Sequence, residues 1–198
     1  HSLVRCSDGT LSAWGRNIDG ELGDGSTTGR NVPGAITQNG ILSGKTVVAL
    51  VAGDGHSLAL CSDGTLAAWG RNNDGQLGDG SNSNSNVPLA ITQSGNLAGK
   101  TVVSVAAGSS HSLARCSDGT LAAWGRNDGG QLGVGSNTAS NVPTAVNQSG
   151  ELAELKTLVL SGGEAHSLAL SAARPEPEIG VQHPAGTLLT DGGANINF

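Results

Sequence analysis

The side chains best equipped for chemistry crowd into His111–Gly133, which reads HSLARCSDGTLAAWGRNDGGQLG. Read alone, a histidine, a thiol, a carboxylate and an indole this close suggest an active site. The stretch recurs, however. His1, His56, His111 and His166 are separated by 55 residues each time (56 − 1, 111 − 56, 166 − 111), with no insertion or deletion. Such a period marks a repeat architecture, and the shared residues are read as parts of a repeated frame. No nucleophile–base pair and no paired carboxylates recur beside them, so no catalytic residues are expected.

A ring of one histidine per repeat could bind a metal or sense pH. The residues before each histidine differ (Asp54-Gly55, Ser109-Ser110, Glu164-Ala165), so no carboxylate partner recurs. His56 and His111 are read as structural, with the ring bonded to backbone at the start of an inner strand. Cys6, Cys61 and Cys116 hold one position in successive repeats. Equivalent sites in neighbouring repeats lie too far apart for a disulfide, and the three are expected to be small buried hydrophobes. Asp19, Asp24, Asp74 and Asp79 hint at calcium, but the third copy has Gly129 and Val134 there and no ladder of carboxylates exists.

Gly95-Asn96-Leu97-Ala98-Gly99-Lys100-Thr101 imitates a phosphate-binding loop. It has three residues between its glycines where four are needed, and an apolar β-type run follows in place of a helix. It is expected to be a plain turn. Trp14, Trp69 and Trp124, one per repeat, are expected to be packing anchors with the indole N–H paired; if exposed, they could stack on sugars. No cofactor or metal site is expected.

Composition narrows the field further. The net charge of −6, with no basic stripe, argues against nucleic acid as a partner. No apolar run is long enough to span a membrane. Methionine is absent and the first residue falls inside a repeat. A fragment is therefore expected, with any targeting signal outside it.

The elements that must hold these residues are short strands. His56–Cys61 and Leu66–Trp69 flank Ser-Asp-Gly-Thr, a hairpin signal in which glycine supplies the positive φ of a tight turn. A long Gly-rich stretch follows, anchored by Leu22, Leu77 or Leu132, and runs to Pro33, Pro88 or Pro143. A third strand is expected just after each proline (34–37, 89–92, 144–147). A fourth is expected at 46–52, 101–107 and 157–162. The apolar run Val102–Ala107 predicts a strand sandwiched between two layers; the small residues Leu66-Ala67-Ala68 suit a crowded inner strand. Four antiparallel strands per repeat, each covered by its neighbours, predict an all-β fold, a β-propeller fragment of about three four-stranded blades; a solenoid of stacked hairpins is the alternative, which explains the period equally well without demanding four strands per unit.

The expected organisation is propeller repeats over 1–171 (1–55, 56–110, 111–165 and a first strand of a further repeat, 166–171). The fourth copy stops because Ser171 and Ile179 stand where cysteine and tryptophan would be. A stiff linker is expected over 172–178 and the truncated start of a second β domain over 179–198. A lone arc of blades would expose apolar faces and is expected to self-associate.

The pattern HSL, then DGTLxAWGxN, then GQLGxG, then a proline, then VxVAAGxxH resembles the repeat of the regulator of chromosome condensation family. Trp69-Gly70-Arg71-Asn72 with Gly75-Gln76-Leu77-Gly78 carries the signature, with Glu21 for glutamine in the first copy. The resemblance implies a propeller, commonly of seven blades. The repeats resemble bacterial, extracytoplasmic versions, and the tail resembles the start of the Ig-like domains of bacterial surface proteins. These resemblances imply a secreted or cell-surface bacterial protein.

The patches Ser26–Arg30, Ser81–Ser85 and Ser136–Ser140 vary while the frame around them does not. Thr27, Thr28, Arg30, Asn82, Asn84, Asn137 and Thr138 are thus candidate partner-binding residues, grafted on a rigid scaffold. The function expected is a non-catalytic module for protein–protein interaction. A carbohydrate-binding propeller is the first alternative, and a guanine-nucleotide exchange factor, as in the founding family member, the second.

Overall fold

The computed structural model describes residues 1–152, 155–173, 181–182 and 188–189. Each unit is built from short strands because the apolar residues come in runs of five or six, cut by Asp-Gly turns and by proline. The first sheet contains β1 (Ser2–Arg5), β2 (Leu11–Gly15) and β3 (Arg30–Ala35). The second contains β4 (Val47–Ala52), β5 (His56–Cys61), β6 (Leu66–Gly70) and β7 (Ser85–Ala90). The third repeats that pattern with β8 (Val102–Ala107), β9 (His111–Cys116), β10 (Leu121–Gly125) and β11 (Ser140–Ala145). A two-stranded sheet follows, β12 (Leu155–Gly162) with β13 (Ser167–Ala173), and a short pair closes the chain, β14 (Val181–Gln182) with β15 (Leu188–Leu189).

Every pairing is antiparallel and in sequence order, as tight turns between neighbouring strands require. Successive sheets meet chiefly through β4, β8 and β12, which touch one another or the neighbouring strand, so the sheets converge at that edge as propeller blades do.

The sheets cut the chain in a different phase from the histidine-to-histidine period. Val47–Ala52 precedes His56 and is hydrogen-bonded to it as the first strand of the same sheet. Leu66–Gly70, whose residues Leu66-Ala67-Ala68 suit a crowded inner strand, is the third strand of its sheet, and Val47–Ala52 takes the inner edge. That inner strand is not fully sandwiched: Val48 and Val103 are 49% and 42% exposed. The strands covered on both faces are β5, β6 and β10, buried at every residue. The strand expected just after each proline begins before it and contains it, as in Ser85–Ala90 around Pro88, the fourth strand of its sheet. It is the edge of its sheet, where a missing N–H breaks no ladder.

Alternation along β5 and β6 explains how three sheets stack. Leu58, Leu60, Leu66 and Ala68 face the third sheet, where they meet Val105, Ala114, Cys116 and Trp124. Ala59, Cys61, Ala67 and Trp69 face the first sheet and meet Leu11, Ala13 and Leu22. One face presents leucines and the other small residues around one large ring. Leucines of one sheet thus fill the space above alanine and cysteine of the next. Gly95–Leu97 is a 3-10 turn with Leu97 buried in this core and Lys100 bonded to Asp118, so the phosphate-loop lookalike serves packing.

β13 runs to Ala173, two residues into the expected linker. The rest of that linker and, apart from residues 181–182 and 188–189, the expected second domain lie outside the described residues. Leu77→Ala, which empties a fully buried seat, is expected to lower unfolding stability by about 2–5 kcal/mol. Val48→Ala, on the open side of β4, is expected to cost under ~0.5 kcal/mol. Urea unfolding of the two variants checks both.

Candidate functional site

The repeated polar residues converge on one carbonyl per sheet. The Gly-rich loop after β2 carries Glu21, whose backbone oxygen faces the second sheet. It accepts the indole N–H of Trp69 at 2.8 Å and the hydroxyl of Ser57 at 2.9 Å. Gln76 O does the same for Trp124 at 3.0 Å and Ser112 at 2.8 Å. Gln131 O accepts Ser167 at 2.8 Å. Glycine is required beside this seat: a Cβ on Gly78, which has φ +69°, would lie 2.6 Å from Trp124 Nε1.

Each serine also takes a histidine from the preceding sheet. His1, His56 and His111 reach Ser57, Ser112 and Ser167 at 2.8, 2.9 and 2.9 Å. The hydroxyl proton is committed to the loop carbonyl, so the histidine must be the donor. This assigns the Nε2–H tautomer. The ring therefore bonds a side chain of the next sheet, not the backbone of its own, which corrects the sequence-based expectation. The serine after each histidine was not singled out there; its invariant place in the His-Ser-Leu triplet was the available signal.

Among the described residues, Nδ1 of His1, His56 and His111 has no hydrogen-bond partner. Protonation would place a second N–H where nothing accepts it. Burial, reinforced by His111, pushes His56 down to about 3 from an ordinary 6.5, and burial, reinforced by His166, lowers His111. These histidines are neutral structural donors. Burial raises the thiols of Cys61 and Cys116, with Asp63 and Asp118 adding to the effect. A buried thiol held protonated is a poor nucleophile. Among the described residues no cluster of three histidine, cysteine or acidic side chains could hold a metal ion.

A second organiser went unassigned at the sequence level. Asn17, Asn72 and Asn127 are fully buried. Asn72 Oδ1 accepts Leu77 N–H at 2.9 Å, and its Nδ2 donates to Asp79 and to Ser81 O. Asn17 and Asn127 hold Leu22 and Leu132 likewise. One amide thus folds the loop and seats its leucine, and Leu22, Leu77 and Leu132 are each at most 1% exposed. In the first two copies an aspartate joins this amide network, so Asp24 and Asp79 are loop braces rather than the start of a calcium ladder. Glu21, replacing the glutamine, is buried and paired with Arg16.

Trp69 and Trp124 are 0% exposed, which closes their rings to a sugar face; Trp14 is half-buried. The variable patches lie outside the core. Thr27, Thr28, Asn82, Asn84, Asn137 and Thr138 are exposed. Arg30 is half-buried and ion-paired with Asp24 inside its own loop. Partial burial works to raise Asp24, but hydrogen bonds from Ser26 and the Arg30 charge hold it below its usual range. Asn84 crosses to Asp19 of the preceding repeat at 3.0 Å, and Asn82 accepts from Asn141 of the next at 3.1 Å. The structure thus sets the patches side by side along one rim. Asp19, Thr27, Asn84 and Asn86 line an open polar cleft of about 330 Å³, with Ile18 on its edge.

The buried histidines make stability depend on pH. The unfolded chain binds protons that the buried histidines refuse. Their contribution is complete above the unfolded value of 6.5 and is lost as pH falls toward about 3. Asp63 and Asp118, held at about 2 chiefly by Lys45 and Lys100, lose their contribution only as pH falls below 3.8. Urea midpoints should therefore decline between pH 6.5 and 4, and His56→Gln should flatten that decline. Asn72→Ala leaves the Leu77 N–H buried without an acceptor and should cost about 1–3 kcal/mol by urea unfolding.

Comparison with known proteins gives concordant results. The model of the "Regulator of chromosome condensation (RCC1) repeat" matches residues 8–60, 63–115 and 118–170. The ultraviolet-B receptor UVR8 of Arabidopsis thaliana is 36% identical over 86% of this chain and 37% of its own length. The human E3 ubiquitin-protein ligase HERC2 is 35% identical over 88% of this chain and 3% of its own length. The chain thus spans little more than a third of one relative and a small part of the other. Among solved structures, Prp20p from Saccharomyces cerevisiae, described with its binding to Gsp1p and histones, superposes with a TM-score of 0.75 at 22% identity. That superposition covers 88% of this chain and 42% of Prp20p. Yeast RCC1 (Prp20) bound to Kap60 gives a TM-score of 0.76 at 21% identity, over 88% and 40% of the two chains. At this identity the likeness speaks for the fold.

Proposed function

The chain belongs to the regulator of chromosome condensation repeat family, and from that premise we propose that it is a non-catalytic scaffold that binds another protein through the variable loops along one rim. One observation carries this reading. His1, His56, His111, Ser57, Ser112, Ser167, Trp69, Trp124 and the buried asparagines of the repeated frame are engaged in holding a loop or a neighbouring sheet, whereas Thr27, Thr28, Asn82, Asn137 and Thr138 are exposed, at positions that change between copies (Thr27 against Asn82 and Asn137, Thr28 and Thr138 against Ser83). A rigid frame with variable exposed loops is the arrangement that places contact residues without cost to the fold. A related propeller with protein partners, yeast Prp20, described with Gsp1p and histones and bound to Kap60, supports the class of ligand.

The proposal places the module on the outside of a bacterial cell, a reading carried by the resemblance of the repeats and of residues 179–198. Labelling of intact cells with a membrane-impermeant reagent tests it; protection of the protein in intact cells overturns it.

The rim is tested by Thr27→Arg combined with Thr138→Arg. Both sites are exposed, so the melting temperature should stay within about 2 °C of the parent. Affinity for a protein partner found by crosslinking should fall at least about tenfold, or ~1.4 kcal/mol. Unchanged affinity would move the interface elsewhere. Nucleotide release from small GTPases should be unaffected by the chain; acceleration would favour an exchange-factor role.

A further inference from the structure

One arginine follows the Trp-Gly pair in each copy of the repeat: Arg16, Arg71 and Arg126. In the first and third copies its Nε finds a carboxylate of its own loop. Arg16 Nε lies 3.3 Å from Glu21 Oε1. Arg126 binds Asp128 side-on, Nε to Oδ1 at 2.8 Å and a terminal nitrogen to Oδ2. The second copy has neither acid. Gln76 stands where the first has Glu21, and Asn73 where the third has Asp128. Asp74 is the counterpart of Asp19, which pairs with Arg16. Yet among the described residues Arg71 makes no ion pair, with Asp74 or any other acid.

Two buried donors are left without an acceptor there. Among the described residues, Arg71 Nε and Gln76 Nε2 hydrogen-bond to nothing. The first copy shows how they stand to one another. Gln76 Oε1 accepts Asp74 N–H at 2.9 Å, as Glu21 Oε2 accepts Asp19 N–H at 2.9 Å. Gln76 Nε2 therefore takes the place of Glu21 Oε1, the atom that faces the arginine. Gln76 is 0% exposed, so its amide cannot turn to bulk water, and a buried N–H without an acceptor carries its desolvation cost. Gln131 Nε2 is without a bond too, but the arginine of its copy holds Asp128. Among the described residues, only the second copy leaves both donors open.

The place lies in the middle of the arc and is preset. The second sheet is packed on both sides, against the first and against the third. A Cβ on Gly55 would lie 3.2 Å from Arg71 Cβ and 3.4 Å from its Cδ, so the arginine stem rests on the turn before His56. The place also opens on the variable rim. Asn82 of the second patch donates to Asn73 O at 3.1 Å, and both residues are exposed.

We propose that Arg71 and Gln76 form a receptor for one carboxylate, supplied by an aspartate or glutamate side chain of the protein that the rim binds. The repeat itself specifies the ligand, because side-chain carboxylates occupy the corresponding arginines of the other two copies. The side-on contact at Arg126 is the bidentate form that a planar guanidinium gives with a carboxylate. At Arg71 one oxygen of the ligand takes the Nε–H together with a Gln76 N–H, and the other takes a terminal N–H. The donors are held before the ligand arrives, so little side-chain ordering opposes binding. The source of the carboxylate rests on the proposed role of the rim as a protein-binding surface; the receptor itself does not.

NMR of the isotope-labelled 198-residue chain tests it. The Arg71 Nε–H and Gln76 side-chain amide signals are identified by their loss in Arg71→Lys and Gln76→Glu. Both should shift saturably with sodium acetate, and not with sodium chloride at the same ionic strength. The blocked peptide acetyl-Gly-Glu-Gly-amide should shift them in the same way, and its glutamine version should not. Asn73→Asp restores the acid of the third copy at an exposed position. It should keep the backbone amide spectrum and weaken acetate binding at least about tenfold; Gln76→Glu, the acid of the first copy, should weaken the Arg71 response likewise. No saturable shift with acetate overturns the receptor. So do equal shifts with chloride or with the glutamine peptide, or an undiminished response in both acidic variants. Acetate binding without binding of the glutamate peptide overturns the assignment to a partner's side chain. These probes need no partner, so their outcome is read separately from that of Thr27→Arg with Thr138→Arg.

Discussion

The structure depends on a backbone carbonyl with two donors. Glu21 O and Gln76 O each receive an indole N–H and a serine hydroxyl from the following sheet, and each serine in turn receives a histidine. All these groups are buried, so an unmade bond would carry a full desolvation cost. The relay therefore fixes the distance between sheets and the rotation of one against the next. A purely apolar contact between leucines and alanines would tolerate sliding; a carbonyl that must meet an indole and a hydroxyl together does not. Buried histidine suits the central place because it is neutral there and can donate through Nε2 while its body packs as an apolar ring.

Around that node the packing is set by side-chain size. Leu58 and Leu60 on one face, and Ala59 and Cys61 on the other, give β5 a large side and a small side. The same asymmetry recurs in β9, so neighbouring sheets nest. The Gly-rich loop completes the joint: Leu77 plugs the core, Asn72 holds Leu77, and Gly78 admits the indole of Trp124. Sequence, turn and interface agree at each of these positions; Cys61 and Cys116 are buried there as small residues, whereas Cys6, expected to be buried too, is half-buried.

Much of this was legible before any coordinates. The period, the Asp-Gly hairpin, the histidine strand at 56–61 and the burial of tryptophan and leucine follow from pattern and turn chemistry. The phase of the sheets was not legible, because a repeat can be cut anywhere along its period and only pairing shows that Val47–Ala52 belongs with His56. The start of β7 was missed because proline was taken to stand before the strand, although an edge strand admits it. The partner of the histidine ring was missed for a different reason. Local sequence suggests local bonds, and Ser112 lies 56 residues from His56 and one sheet away. Asn72 was quoted as signature without a role, since a buried amide serving a loop has no periodicity to reveal it.

Each sheet is held almost entirely by the sheets beside it, which makes the architecture one of nearest-neighbour joints. In such an arrangement the residues at the joint cannot vary one at a time: a larger residue at Gly78 strikes Trp124, and a smaller one at Trp124 leaves Gln76 O short of a donor. Freedom to vary is confined to atoms that no joint uses. The outer parts of residues 26–30, 81–85 and 136–140 meet that condition, except where Asn82 and Asn84 reach to a neighbouring repeat. Those two crossings tie adjacent loops together, so a surface spread over several loops is presented as one rim. The tight frame and the variable rim are thus two consequences of the same buried carbonyl.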